Sequence, residues 1–300
     1  MRARAHFLLD MLLLIFAINF SIMGFHQQPP PDSRINRADR SADVSSTPAR
    51  YAPATAKDQG DFQLHYEPRA NFRRGLADRR VGTGIECLID SLNERMALPF
   101  DIMIAFKDCD GPEASYDNQT HEITLSYDLI PDYYDLFSVE IRNGAKLDQA
   151  VRGAITFAFF HELGHALIDA WKLPITGKEE DAADQLACLI LIEETEEGEQ
   201  MALDGARSLK IYAELTRGEE KLYWDEHSLD EQRFYDILCM LYGHDPENYA
   251  YLVKDRSLPL ERAELCNEDY AKLKASWQTL LAPHAGILQN AASKIRMHWS

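Results

Sequence analysis

Two histidines, His161 and His165, stand four residues apart in a segment whose preceding turn, Ile155 to Phe160, is almost wholly apolar. So many apolar side chains in one turn indicate a helix that is buried in the core. On a helix, residues four apart project about 40° from each other, so both imidazoles can point at one ion. The segment therefore predicts a buried helix that carries a metal site.

Glu162 completes the pattern H-E-x-x-H and projects about 60° from His165, beside the expected metal position. Neutral imidazole is a favoured zinc ligand, and an open fourth coordination position lowers the pKa of a bound water to about 7. The pattern thus predicts a hydrolytic Zn²⁺ centre in which Glu162 is the general base. Gly164 supports this prediction, because a mid-helix glycine costs about 1 kcal/mol and usually has a packing or functional reason.

A catalytic zinc site needs a third protein ligand besides the two histidines. After a short connection, a second predicted helix carries Glu180 and Asp184 on one face. If this helix packs antiparallel to the first, Glu180 can complete the site and Asp184 can accept a hydrogen bond from a ligand imidazole.

The periodicity of the chain changes near Asp148. Before this residue, Gly84 to Ala97 predicts an amphipathic helix, and short strands are predicted at 101–106, at 121–126 and around 114–116. After it, the helical period predicts helices near 148–171, 179–197, 201–216, 228–242 and 268–282. Strands first and helices afterward favour an α+β fold over a parallel α/β sheet.

These motifs resemble those of the gluzincin metallopeptidases, whose signature is H-E-x-x-H followed by E-x-x-A-D, present here as Glu180-Asp-Ala-Ala-Asp184. The runs HELGHALID, GKEEDAADQLA, WDEHSLDEQRFY and CMLYGHDPENYAYLV are also similar to a bacterial metallopeptidase family whose reaction is inferred from its motif. The resemblance covers roughly residues 85–284. It implies a zincin-like fold with a small sheet, an active-site helix and a mainly helical C-terminal half.

The resemblance also implies roles for particular residues. They are the zinc ligands His161, His165 and Glu180, the general base Glu162, and the hydrogen-bond partner Asp184. It implies further that a sheet edge holds the substrate backbone, for which the strand at 121–126 is the nearest candidate. The 15-residue spacing from His165 to Glu180 is shorter than in many gluzincins, so Glu179 or Asp181 could be the ligand instead.

His227 lies in a polar run between two predicted helices. It could donate a hydrogen bond to the oxyanion of a tetrahedral intermediate, or it could be an ordinary cap-region residue. The oxyanion role is equally open for Tyr133, Tyr134 and Tyr223.

The N-terminus predicts export. Basic residues precede an apolar stretch from Phe7 to Phe25, which indicates a signal peptide or membrane anchor within residues 1–25. The polar, proline-rich residues 26–75 predict a disordered linker, so the metallopeptidase-like domain is expected at 76–300. We expect a periplasmic or extracellular protein, either free or tethered to a membrane by residues 7–25.

Five cysteines in an exported chain favour two disulfides and one free thiol. We predict the pairs Cys239–Cys266 and Cys87–Cys109, with Cys188 as a small core residue.

The formal net charge of −18 argues against nucleic acid as a partner.

The sequence as a whole favours a zinc-dependent peptidase that acts on a peptide or protein substrate. The alternative is an exported, non-catalytic binding or assembly module in which zinc only braces two helices. Glu162 favours the enzyme, because a structural site would not need it and usually fills all four positions with side chains. A metallohydrolase acting on another kind of bond is a third, weaker hypothesis.

Overall fold

The structure is a computed structural model that describes residues 58–68, 82–284, 294–295 and 297. Its strands are β1 (Phe62–Tyr66), β2 (Ile102–Lys107), β3 (Ala114–Asp117) and β4 (Glu122–Ser126). Its helices are α1 (Gly82–Asn93), α2 (Leu129–Ser138), α3 (Gly144–Trp171), α4 (Glu179–Glu194), α5 (Gly198–Leu215), α6 (Asp230–His244), α7 (Ala250–Lys254) and α8 (Leu260–Leu281). The small sheet followed by helices confirms the predicted α+β class.

The predicted export segment, residues 1–25, lies outside the described residues, and so does most of the predicted linker. The linker prediction was wrong for β1, which lies within residues 26–75 and pairs in parallel with β2. The strand has little alternation to reveal it, because Phe62 is the one buried residue among its five.

No helix in the described part of the chain has the length and apolarity that crossing a bilayer requires.

The four strands form one sheet in the order β1-β2-β4-β3. β2 pairs in parallel with both β1 and β4, whereas β3 is antiparallel to β4. The strand at 121–126 is therefore internal, and the prediction that it offers a free edge to a substrate was wrong. β3 is the edge strand on that side of the sheet, and it packs against α3.

Helix α3 lies at the centre of the fold, in contact with α2, α4, α5, β3 and β4. Neighbours on so many sides explain why its residues are apolar almost all round. The helix begins four residues before the predicted start at 148, because the Asn143 side chain accepts a hydrogen bond from the Lys146 backbone N–H and caps it. It ends at Lys172, whose left-handed backbone turns the chain back toward α4.

Helices α2 and α7 were not predicted. α2 has Pro131 in its first turn, where proline is tolerated, followed by two tyrosines of modest helix propensity. α7 has only five residues, too few for a helical period to be recognised.

Gly164 lets α3 and α4 approach closely. A Cβ atom at this position would lie 2.9 Å from Cα of Ala183 and 3.2 Å from its carbonyl oxygen. Both are backbone atoms, which cannot rotate away as a flexible side chain would. The glycine thus has the packing reason that its mid-helix position suggested.

Gly164→Ala is expected to lower the free energy of unfolding by about 1–3 kcal/mol, because the added methyl group forces the two helices apart. The sign of this change distinguishes the packing effect from helix propensity, since Gly→Ala at an unobstructed helix position raises the free energy of unfolding by about 1 kcal/mol. Urea denaturation measures the change. Gly144→Ala is the control on the same helix, because a Cβ there meets nothing within 4 Å. An unchanged or higher stability of the Gly164 variant would contradict the packing argument.

One of the two predicted disulfides is confirmed, since Cys239 and Cys266 are bonded and join α6 to α8. The prediction of a Cys87–Cys109 bond was wrong, because both thiols are free. Cys109 lies after β2 with its thiol hydrogen-bonded to the Ser126 side chain, whereas Cys87 lies within α1. Cys188 is buried in the core, as predicted.

Candidate metal centre

Two helices, α3 and α4, bring the predicted ligands together. His161 Nδ1 lies 2.8 Å from Asp184 Oδ1, and one turn later His165 Nδ1 lies 2.9 Å from Glu179 Oε1. Residue numbers rise along α3 from His161 to His165 while those of their partners on α4 fall from Asp184 to Glu179, so the two helices are antiparallel. Each carboxylate accepts the Nδ1–H of one imidazole, and in the neutral rings this hydrogen bond would direct the Nε2 lone pair at an ion.

The Nε2 atoms of His161 and His165 converge with one oxygen of Glu180. His161 Nε2 is 3.1 Å from Glu180 Oε2, His165 Nε2 is 3.3 Å from the same oxygen, and the two nitrogens are 3.3 Å apart. Zinc bonds of about 2.0–2.2 Å at tetrahedral angles place ligand atoms about 3.3–3.6 Å apart. The spacing of the three donor atoms therefore fits a single zinc ion closely.

The two alternative carboxylates point elsewhere. Glu179 contacts the Nδ1 side of His165, away from the convergence of the Nε2 atoms. Asp181 Oδ1 accepts a hydrogen bond of 2.7 Å from Ser228 Oγ. The structure thus brings Glu180, and neither of its two neighbours, to the Nε2 atoms of both histidines.

The charges of the site favour a cation. Burial acts to raise the pKa of Glu180, but its contacts with His161, His165 and His227 hold that pKa far below the usual range. Burial acts to lower the pKa of His161, but hydrogen bonds to Asp184 and Glu180 raise it to about 9. Carboxylates that draw protons onto the imidazoles in this way would equally stabilise a divalent ion in place of those protons.

Glu162 lies next to the two histidines on α3 and lines the same cavity. Its side chain is buried, and burial raises the pKa of its carboxyl group, while the neighbouring histidines oppose this rise. A carboxylate with a raised pKa is a stronger base than one in free solution.

His227 also reaches the site, from the connection between α5 and α6. Its Nε2 lies 2.9 Å from Glu180 Oε2, and one donor atom each from His161, Glu180 and His227 lie within 4.8 Å of one another. Lys178 Nζ donates to the backbone carbonyls of Asp225 and His227, both at 3.1 Å, and holds this connection against the start of α4. The helix cap is Leu229, so His227 lies two residues before the cap, in the cap region, and also reaches the site.

The three candidate tyrosines do not line the cavity. Tyr134 donates a hydrogen bond of 2.6 Å to Asp148, Tyr133 is buried, and Tyr223 is 78% exposed to solvent. Tyr116 on β3, which the sequence did not single out, does line the cavity and donates a hydrogen bond to Asp169 at the far end of α3. No local motif marks Tyr116, because the position of β3 beside the cavity depends on the strand order of the sheet and not on nearby residues.

The site opens into a cavity of about 870 Å³. The cavity is lined by β3 and the turn after it, by α3 and the start of α4, and by Glu226 and His227. Binding cavities typically have about 300–1,000 Å³, so this one can hold a segment of several residues.

One comparison with known proteins gives a match. A family described as "Putative metallopeptidase" matches residues 69–281, which include every residue of the site described above. No curated protein and no solved structure matches the chain.

Proposed function

This chain belongs to the DUF4344 family of putative metallopeptidases, and from that premise we propose that it hydrolyses peptide bonds with a Zn²⁺ ion held by His161, His165 and Glu180. The observation that carries the proposal is the convergence of two Nε2 atoms and one carboxylate oxygen at 3.1–3.3 Å. Two imidazoles among three donors favour zinc over Ca²⁺ or Mg²⁺, which prefer oxygen ligands.

When bound, zinc would supply Lewis acidity, polarising the scissile carbonyl and lowering the pKa of a water molecule. Glu162 would accept the proton of the attacking water and later deliver it to the leaving amine. Its burial next to the histidines suits this role, because the carboxyl group is shielded from bulk water and its pKa is raised. Asp184 would hold His161 in the orientation that directs Nε2 at the ion.

We propose that β3 takes the place predicted for the strand at 121–126 and holds the substrate backbone. Among the described strands β3 lies at the edge of the sheet, so one row of its backbone N–H and C=O groups is paired with none of them, and its residues line the cavity. An extended peptide can add to such an edge through main-chain hydrogen bonds. His227, which also lines the cavity, would donate a hydrogen bond to the oxyanion of the tetrahedral intermediate.

The structure also offers an observation in favour of the non-catalytic alternative. With His227 Nε2 at 2.9 Å from Glu180, four side chains gather at one point, and structural zinc sites are those in which side chains fill all four positions. Against this, the site opens into a large cavity that a structural brace does not need, and Glu162 lines that cavity without being one of the four.

A chelator-sensitive cleavage assay separates the two functions. We expect the purified full chain to cleave members of a mixed peptide library, to lose this activity completely in 1,10-phenanthroline, and to regain it when stoichiometric zinc is returned. Phenanthroline already saturated with zinc is the control and should not inhibit. A protein that carries one zinc ion per chain and cleaves no peptide would support the braced module, and cleavage that persists without metal would contradict both functions.

We infer that the protein is exported, to the periplasm or beyond the cell. The Cys239–Cys266 disulfide supports this, because such bonds persist mainly in oxidising compartments.

A further inference from the structure

Asp184, the partner of His161, has a second partner on a different helix. Arg233 of α6 donates from Nε to Asp184 Oδ2 at 2.7 Å and from Nη2 to Asp184 Oδ1 at 2.8 Å. Asp184 Oδ1 also accepts the Nδ1–H of His161 at 2.8 Å. A guanidinium, a carboxylate and an imidazole thus form one continuous chain that ends at the proposed metal position.

All three members of this chain are largely shielded from solvent, with side-chain exposures of 14% for Arg233, 11% for Asp184 and 8% for His161. A planar guanidinium that bonds both oxygens of a carboxylate fixes the rotation of that carboxylate as well as its position. Since the same carboxylate holds the His161 ring, Arg233 is linked through Asp184 to the side chain whose Nε2 faces the proposed metal position.

We propose that Arg233 is a positioning residue for the metal centre, which acts on zinc binding through Asp184 and His161. The inference rests on the proposed function, because it assumes that His161 Nε2 binds zinc. A purely structural role is the weaker explanation, since a buried ion pair is often no more stabilising than apolar residues of the same volume. An ion pair that also orients a metal ligand has a reason to be buried.

The test is the zinc affinity of the full chain, measured by competition with a chromophoric chelator, so that it does not depend on peptidase activity. Arg233→Met keeps much of the side-chain volume and removes both hydrogen bonds, and it is expected to weaken zinc binding about 10–100-fold. Arg233→Lys keeps the charge but cannot form the bidentate pair, so an intermediate loss is expected. Arg207→Met is the control, because Arg207 pairs with Glu140 at 2.6 Å and not with Asp184, and it should leave the affinity within about twofold.

A double variant distinguishes positioning from general stability. If Arg233 acts through Asp184, then adding Arg233→Met to Asp184→Asn should weaken zinc binding no further than Asp184→Asn alone. Losses that multiply in the double variant would overturn the proposal, and so would wild-type affinity in Arg233→Met. Should Arg233→Met fail to fold, wild-type affinity in Arg233→Lys would overturn it instead. A parent chain that binds no zinc would overturn the proposed function as well, whereas the variant results bear on Arg233 alone.

Discussion

Glu162→Gln is expected to lower kcat on any cleaved peptide by about 10²–10⁴-fold while zinc stays at one ion per chain. Glutamine has nearly the shape of glutamate but cannot accept the proton of the attacking water. Zinc should remain, because the three donor atoms of the proposed site belong to His161, His165 and Glu180. Steady-state kinetics and elemental analysis of the same preparation measure both quantities.

Glu226→Gln is the matched control for this prediction. It removes one carboxylate from the same cavity without touching the proposed base, and its kcat should stay within about threefold of the parent value. If the Glu162 variant cleaves peptides as fast as the parent, Glu162 is not the base. If it instead loses its zinc, Glu162 has a metal-binding role that the described geometry does not give it.

His161→Ala is expected to abolish stoichiometric zinc binding. The substitution removes one of the three proposed donors, and the two that remain in the proposed set, His165 and Glu180, are too few for a stable zinc site. It also removes the imidazole N–H from which Asp184 accepts a hydrogen bond. Elemental analysis after dialysis measures the loss, and a thermal scan gives a second readout, because added zinc should raise the Tm of the parent and not that of the variant.

His244→Ala is the matched control for the zinc measurement. His244 is also an imidazole between two carboxylates, 3.7 Å from Glu193 and 3.5 Å from Glu199, but it lies on α6 away from the cavity. This variant should keep its full zinc content. A full zinc content in the His161 variant would remove the proposed site from consideration.

The parts of the site that follow from local spacing could be predicted from the sequence. His161 and His165 on α3, and Glu180 and Asp184 on α4, each lie one helical turn apart, so helical geometry alone fixes their common direction. The antiparallel packing of the two helices followed from their short connection. Together, the helical spacing and the antiparallel packing bring His161 to Asp184 and to Glu180.

The parts that depend on distant contacts could not be predicted in the same way. Arg233 meets Asp184 across 49 residues, and no periodicity links the two positions. The sequence allowed His227 as an oxyanion donor but did not reveal its closeness to Glu180. That closeness depends on the connection before α6, which Lys178 contacts. The edge position of β3 depends on the strand order, which hydrophobic patterns do not reveal.

Element boundaries were least predictable where a helix faces solvent. The helix predicted at 268–282 begins at Leu260, because the first two turns of α8 expose most of their residues and show little apolar period. Pro259, directly before the first helical residue, was the available signal for the true start.

The placement of β3 has a consequence for solubility. A strand at the edge of a sheet, paired on one side only, normally invites aggregation with other chains. Here the strand is only four residues long and packs against α3, so the row of backbone groups that another chain could pair with is short. The short edge that would hold a substrate backbone thereby offers little length along which two copies of the molecule could join.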